Sequence, residues 1–257
     1  MDCYKYNEAM NNYHQEFLKL LDKTVRLCHY STQDLFKLFL KLSSIAIQNS
    51  VNYSQEREDI YLSSIKGLDK QTLQNICELL AILVKALESQ RHDFLGPIYT
   101  GIKGCDSKFG QFLTPDSVSK LMGELLFHEK LKNQEFITVY EPSCGSGSTI
   151  INFIDTVFSY GINAQKKVFV VCEDIDINMC YMAYLQLSFL GMGAVIQHKD
   201  TLSNELFCTM YTPMFFMEGW KYKLSRKNKK DEKVDNIVID PLTGIKMIKG
   251  GRFGNVL

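Results

Sequence analysis

An α/β fold built on a parallel sheet is what this sequence predicts, and three observations predict it. Beyond about residue 110, short β-branched runs alternate with stretches whose apolar residues recur at helical spacing. The apolar run Phe136–Val139 leads through Tyr140-Glu141-Pro142-Ser143-Cys144-Gly145-Ser146-Gly147 into the apolar-periodic Ile150–Phe158, which reads as strand, glycine turn and helix start. Acidic residues then close the next two apolar runs, at Glu173-Asp174-Ile175-Asp176 and at Asp200. Strands alternating with helices imply βαβ units, right-handed crossovers and parallel pairing.

The amino-terminal part is different. Phe17, Leu20, Leu21, Val25 and Cys28 recur at three-to-four spacing, and Ser31-Thr32-Gln33-Asp34 looks like a helix start before Leu35, Phe36, Leu38, Phe39 and Leu42. Ser54 opens a short helix, and Asp69 precedes a long one carrying Leu73, Ile76, Leu80, Leu83 and Leu87. Gly96, Pro97, Gly101 and Gly104 suggest a linker near 95–110. Two domains are therefore expected: a helical one over 1–94 and a Rossmann-like one over 95–257. Within the second, Pro115 starts a helix through Phe127. Strands are expected at Ile137–Tyr140, Lys167–Cys172, Ala194–His198 and Asn236–Ile239, with helices near 148–160 and 177–190.

Bulk properties narrow the function. A chain of 257 residues, 46% apolar and 23% charged, can bury a large core. Lys+Arg and Asp+Glu both number 29, which excludes a uniformly basic DNA-coating protein and leaves room for a local patch such as the lysine-rich Lys221–Lys233. The eight cysteines show no metal-ligand spacing, so no metal is expected. No apolar run approaches membrane-spanning length, and Met-Asp-Cys-Tyr-Lys opens no signal core. Reduced thiols in a cytoplasmic protein that does not enter a membrane are the expectation.

The glycine turn carries the chemistry. Glycines let backbone approach a ligand, and a helix N-terminus offers unpaired N–H groups. The turn has neither the G-x-G-x-x-G spacing of a dinucleotide site nor the Lys-Ser/Thr of a P-loop. Alone, it serves a ligand or simply packs a helix on a strand. Asp174, at the tip of the second strand, is placed to accept both hydroxyls of a ribose; Asp176 serves equally well as a helix N-cap. Asp200 either accepts from an adenine amine or caps its own turn. Gly110-Gln111-Phe112-Leu113-Thr114-Pro115 reads by itself as a loop-to-helix junction.

Taken in order, Gly-Gln-Phe-x-Thr-Pro, Glu-Pro-x-Cys-Gly-Ser-Gly, Glu-Asp-Ile-Asp and Asp-Thr-Leu resemble the adenine-N6 DNA methylases. The likeness is to modification subunits of type I restriction systems and their compact relatives on phages and mobile elements. Asp93-Phe94-Leu95-Gly96-Pro97-Ile98-Tyr99 looks like that family's lead-in, and the resemblance covers about residues 92–205. It implies a class I S-adenosylmethionine-dependent methyltransferase fold and S-adenosyl-L-methionine as cofactor. By the same resemblance Phe112, Thr114 and Pro115 lie against the cofactor. Glu141, Gly145 and Gly147 shape the methionine pocket, Asp174 holds the ribose and Asp200 contacts the adenine. DNA is the implied partner, with a partner subunit or a second copy also expected.

The family receives the methyl group at Asp/Asn-Pro-Pro-Tyr/Phe after its fourth strand. Here Asp240-Pro241-Leu242-Thr243 stands in that place, so Asp240 and Pro241 are the catalytic candidates, while Leu242 and Thr243 replace the second proline and the stacking aromatic. The chain ends at Leu257, and the sheet is expected to stop after its fourth strand. Two functions follow as expectations. One is adenine-N6 methylation of DNA of the restriction-modification type; the other is a methyltransferase-like module that binds cofactor or a partner without catalysis.

Overall fold

The computed structural model describes residues 3–103, 113–230, 237–239 and 246–248; Phe112, Asp240 and Pro241 lie outside the described residues. Four long helices open the chain: α1 (Cys3–Val25), α2 (Thr32–Val51), α3 (Gln55–Ile65) and α4 (Lys70–Ser89). Ser31, Ser54 and Asp69 each accept a backbone N–H three residues on, from Asp34, Arg57 and Thr72. Those bonds satisfy donors that a first helical turn leaves without a partner. The apolar stripes meet inside, where Phe17 stands edge-on to Phe39 at 5.4 Å.

The expected linker near 95–110 is, in its first part, a helix, α5 (Leu95–Lys103). Gly96 and Pro97 read as breakers, yet both sit in the first turn, where a missing N–H costs no helical hydrogen bond. Asp93 caps that turn, accepting the Gly96 N–H at 2.9 Å. After Pro115 comes α6 (Asp116–Leu126), which packs closely on the next helix through Ser119 and Gly123 and leaves Val118, Leu121, Met122 and Leu125 exposed.

Three parallel strands follow: β1 (Ile137–Glu141), then α7 (Ser148–Ser159) and α8 (Ala164–Lys167), β2 (Val168–Asp174), α9 (Ile177–Phe189) and β3 (Gly193–Asp200). Glu141 lies opposite Cys172, and Asp174 opposite His198, so the acidic strand ends share one edge of the sheet. β2 is buried along nearly its whole length, as a strand covered on both faces should be. One core runs unbroken from Phe17 and Phe39 through α4 and α9 to Val170 and Ile196.

The fourth strand differs from expectation. β4 (Glu205–Tyr211) pairs antiparallel with β3 after a short turn, in which Asn204 takes the left-handed conformation at φ 63°. The expected fourth strand, Asn236–Ile239, is instead β5 (Ile237–Ile239), paired with β6 (Lys246–Ile248) in a separate two-stranded sheet. Between them lie α10 (Pro213–Met217) and α11 (Trp220–Lys230), the latter carrying most of the lysine-rich segment. Trp220 and Leu224, one turn apart, anchor α11 on Phe136, Phe169 and Val195, the sheet face opposite α7 and α9. Among the described residues no helix is long and apolar enough to cross a membrane.

Candidate functional site

The turn between β1 and α7 is held open by backbone geometry. Gly145 and Gly147 have φ of 54° and 98°, where a side chain would strain the backbone. Cys144 N–H donates to Glu173 O at 2.9 Å and Gly147 N–H to Cys144 O at 2.9 Å, closing the turn onto the tip of β2. A Cβ on Gly145 would come within 3.0 Å of Leu113, so the segment before Pro115 reaches the turn.

Two carboxylates face this turn from neighbouring strand ends. Asp174 accepts Gly145 N–H through Oδ2 and Asp176 N–H through Oδ1, both at 2.9 Å. Burial nevertheless raises its carboxyl above the usual range, opposed by those backbone bonds. Glu141 is likewise raised, first by burial and then by the charge of Asp174. A half-buried pair of acids suits a ligand that brings a positive charge or hydroxyl donors, because either relieves the desolvation. Each carboxylate still has lone pairs to offer. That donor set, beside two glycines in left-handed backbone, fits an aminoacyl nucleoside.

The remaining candidates are dispersed. Asp200 caps its own turn, Oδ1 accepting Leu202 N–H at 2.9 Å and Ser203 N–H at 3.2 Å. Those bonds hold its exposed carboxyl below the usual range. Asp176 caps α9 through Asn178 N–H. Thr114 and Pro115 line a cavity of about 570 Å³ with Asp93, Leu113 and Ser148 on the helix side of the turn. Cys144 is buried, and its thiol is pushed well up by Cys172 and by burial, so it is packed rather than nucleophilic.

Some residues escaped sequence reasoning. Glu173 pairs with Lys199 at 2.9 Å, both side chains almost wholly buried. Thr201 Oγ1 bridges Glu173 Oε2 and Pro142 O at 2.9 and 2.8 Å, so the tips of all three parallel strands are tied together behind the turn. Both residues stand at the polar ends of neighbouring strands, and no local pattern joins them.

This arrangement, a parallel βαβ sheet with a glycine turn and acidic strand ends, defines a Rossmann-like α/β protein. The N-6 DNA Methylase family matches residues 91–247, more than half of the chain. The chain belongs to that family, and its parallel βαβ sheet is Rossmann-like. Two solved structures are similar at low identity. One is a provisionally described class I S-adenosylmethionine-dependent methyltransferase of Listeria monocytogenes, with 16% identity, a TM-score of 0.40, and 82% of this chain covering 70% of that one. The other is a type I restriction-modification methyltransferase subunit of Streptococcus thermophilus, with 14% identity and a TM-score of 0.40. That alignment takes in 76% of this chain and 60% of the subunit's length. Likeness at this level carries no argument about the site. No curated protein matches the chain.

Proposed function

We propose that the chain binds S-adenosyl-L-methionine over the Glu141–Gly147 turn and directs its methyl group to the N6 amine of adenine in DNA. The observation that carries this reading is the pair of half-buried carboxylates, Glu141 and Asp174, flanking two left-handed glycines at adjacent strand ends. Family membership supplies the reaction class. In this reading Glu141 faces the ammonium of the cofactor and Asp174 its ribose. Asp200 lies toward its adenine, and Phe112, Thr114 and Pro115 close over it. The cofactor supplies an electrophilic methyl on a positively charged sulfur.

The chain's own work is then placement. An adenine amine is delocalised and poorly nucleophilic, so two acceptors must fix it in line with the methyl group. Asp240 and the Pro241 carbonyl are the proposed acceptors. What supports them is their place in the sequence, Asp240-Pro241 directly after the short strand Ile237–Ile239, as in the family's tetrapeptide.

A helical region over 1–94 supports the Rossmann-like region over 95–257, and the protein works on DNA in the cytoplasm, with a partner subunit or a second copy. Leu242 and Thr243, where a proline and an aromatic ring would serve the target base, favour a second reading, a cofactor-binding module without catalysis. Labelled methyl transfer separates the two. Radioactivity from the methyl-labelled cofactor should appear in DNA as N6-methyladenine and vanish in Asp240→Ala while cofactor binding persists. Cofactor binding without transfer to any DNA, with or without neighbouring gene products, sinks the catalytic reading.

A further inference from the structure

Behind the glycine turn, on the side away from Asp174, sits a buried polar hub that none of the proposed ligand roles uses. Gln186, on α9, is wholly buried. Its Oε1 accepts Phe94 N–H at 2.7 Å and Leu95 N–H at 3.2 Å, and its Nε2 donates to Asp93 Oδ1 at 3.0 Å and Ser146 O at 2.8 Å. All four hydrogen-bonding positions of the amide are filled. Asp93 in turn accepts the Ser146 hydroxyl through Oδ2 and the Gly96 N–H through Oδ1. Gly96 leaves room for this pair, since a Cβ there would lie 2.2 Å from Asp93 Oδ2 and 2.6 Å from Ser146 Oγ.

Ser146 is the residue between the two left-handed glycines, and both its carbonyl and its hydroxyl point into this hub. The turn is therefore gripped from two sides. Asp174 holds the Gly145 N–H toward the ligand side, and Asp93 with Gln186 holds Ser146 toward the helices. The hub also joins the turn to the amino-terminal helices, because His14 of α1 bonds Phe94 O at 3.0 Å and stacks on the Phe94 ring at 4.5 Å.

We propose that Gln186 and Asp93 are positioning residues for the cofactor turn, fixing Ser146 so that Gly145 and Gly147 keep the conformation the ligand meets. The claim rests on the cofactor reading above. Preorganisation of this kind acts on affinity, since a turn already held in its bound conformation loses less conformational freedom when the ligand arrives.

Gln186→Met keeps length and removes every hydrogen bond, Ser146→Ala removes the hydroxyl, and Gln48→Met alters a buried amide of α2 far from the turn, as a stability control. S-adenosylmethionine and S-adenosylhomocysteine are titrated by calorimetry, and amide exchange at 144–148 is followed without ligand. Gln186→Met and Ser146→Ala are expected to bind at least about tenfold more weakly and to exchange faster at those amides. Gln48→Met should lose melting temperature with neither change, and Ser146→Thr should restore part of the affinity lost in Ser146→Ala. Unchanged affinity and unchanged exchange in Gln186→Met, with the unaltered chain binding normally, overturns the hub and leaves the cofactor reading standing. An unaltered chain that binds neither ligand overturns the cofactor reading and the hub's role in it.

Discussion

Gly193 opens β3 where Trp220 crosses the sheet, and replacing it with alanine is the sharpest available strike at that packing. A Cβ on Gly193 would lie 2.0 Å from Trp220 Nε1 and 2.3 Å from its Cδ1, far inside ordinary contact. The indole has to retreat by more than an ångström, yet it is fully buried between Phe136 at 5.5 Å and Phe169 at 5.3 Å. Interiors have little slack for such a move. Tilting the ring costs about 1–3 kcal/mol as overpacking. Expelling it costs about 3–5 kcal/mol as for a lost large aromatic. A destabilisation of about 2–4 kcal/mol is expected between those limits. Trp220 is the only tryptophan, so its emission reports this contact alone. Gly193→Ala should lower the urea midpoint and shift emission to the red, and Trp220→Phe in the same background should recover much of the loss by circular dichroism. An unchanged midpoint and emission, or an equal loss with Phe at 220, would refute the steric argument.

Two further outcomes are expected. Lys199→Met strands the buried Glu173 carboxylate and should cost about 3–5 kcal/mol in urea unfolding, whereas Glu173→Gln with Lys199→Met should recover a large part of it; a double variant no better than the single one would contradict a pairwise ion pair. Burial lowers the His14 and His92 imidazoles, so the folded chain binds fewer protons than the unfolded one below about pH 6.5. Their contribution is therefore intact above that pH and declines as pH falls from about 6.5 through the lower folded values. Unfolding midpoints at pH 7.5 and 5.5 should differ, and the difference should narrow in His92→Phe.

How much was legible in the sequence follows from the range of each interaction. The helix starts at Ser31, Ser54 and Asp69 depend on residues three apart, and they could be read directly. So could the three parallel strands, whose apolar runs end in acids beside a glycine turn. β4 could not, because Glu205–Cys208 is exposed on both faces and shows no alternation. The helix in Trp220–Lys230 was hidden for a similar reason: its anchors are only Trp220 and Leu224, amid a run of cations. Gly96 and Pro97 suggested a linker and instead open α5, because their place in its first turn depends on the Asp93 cap. Gln186 lies 93 residues from Asp93 and 40 from Ser146, so no local pattern could join them; its one trace was a polar residue inside a buried helix.

The proposed activity requires that the Glu141–Gly147 turn hold the methyl donor. Calorimetric titration of S-adenosylmethionine into the purified chain tests this most directly, with Asp174→Ala beside it. One-site binding by the unaltered chain, lost in Asp174→Ala while the far-ultraviolet circular dichroism stays native, is the expected result. Native-like protein that takes up no cofactor, or Asp174→Ala that binds as tightly as the unaltered chain, would contradict it.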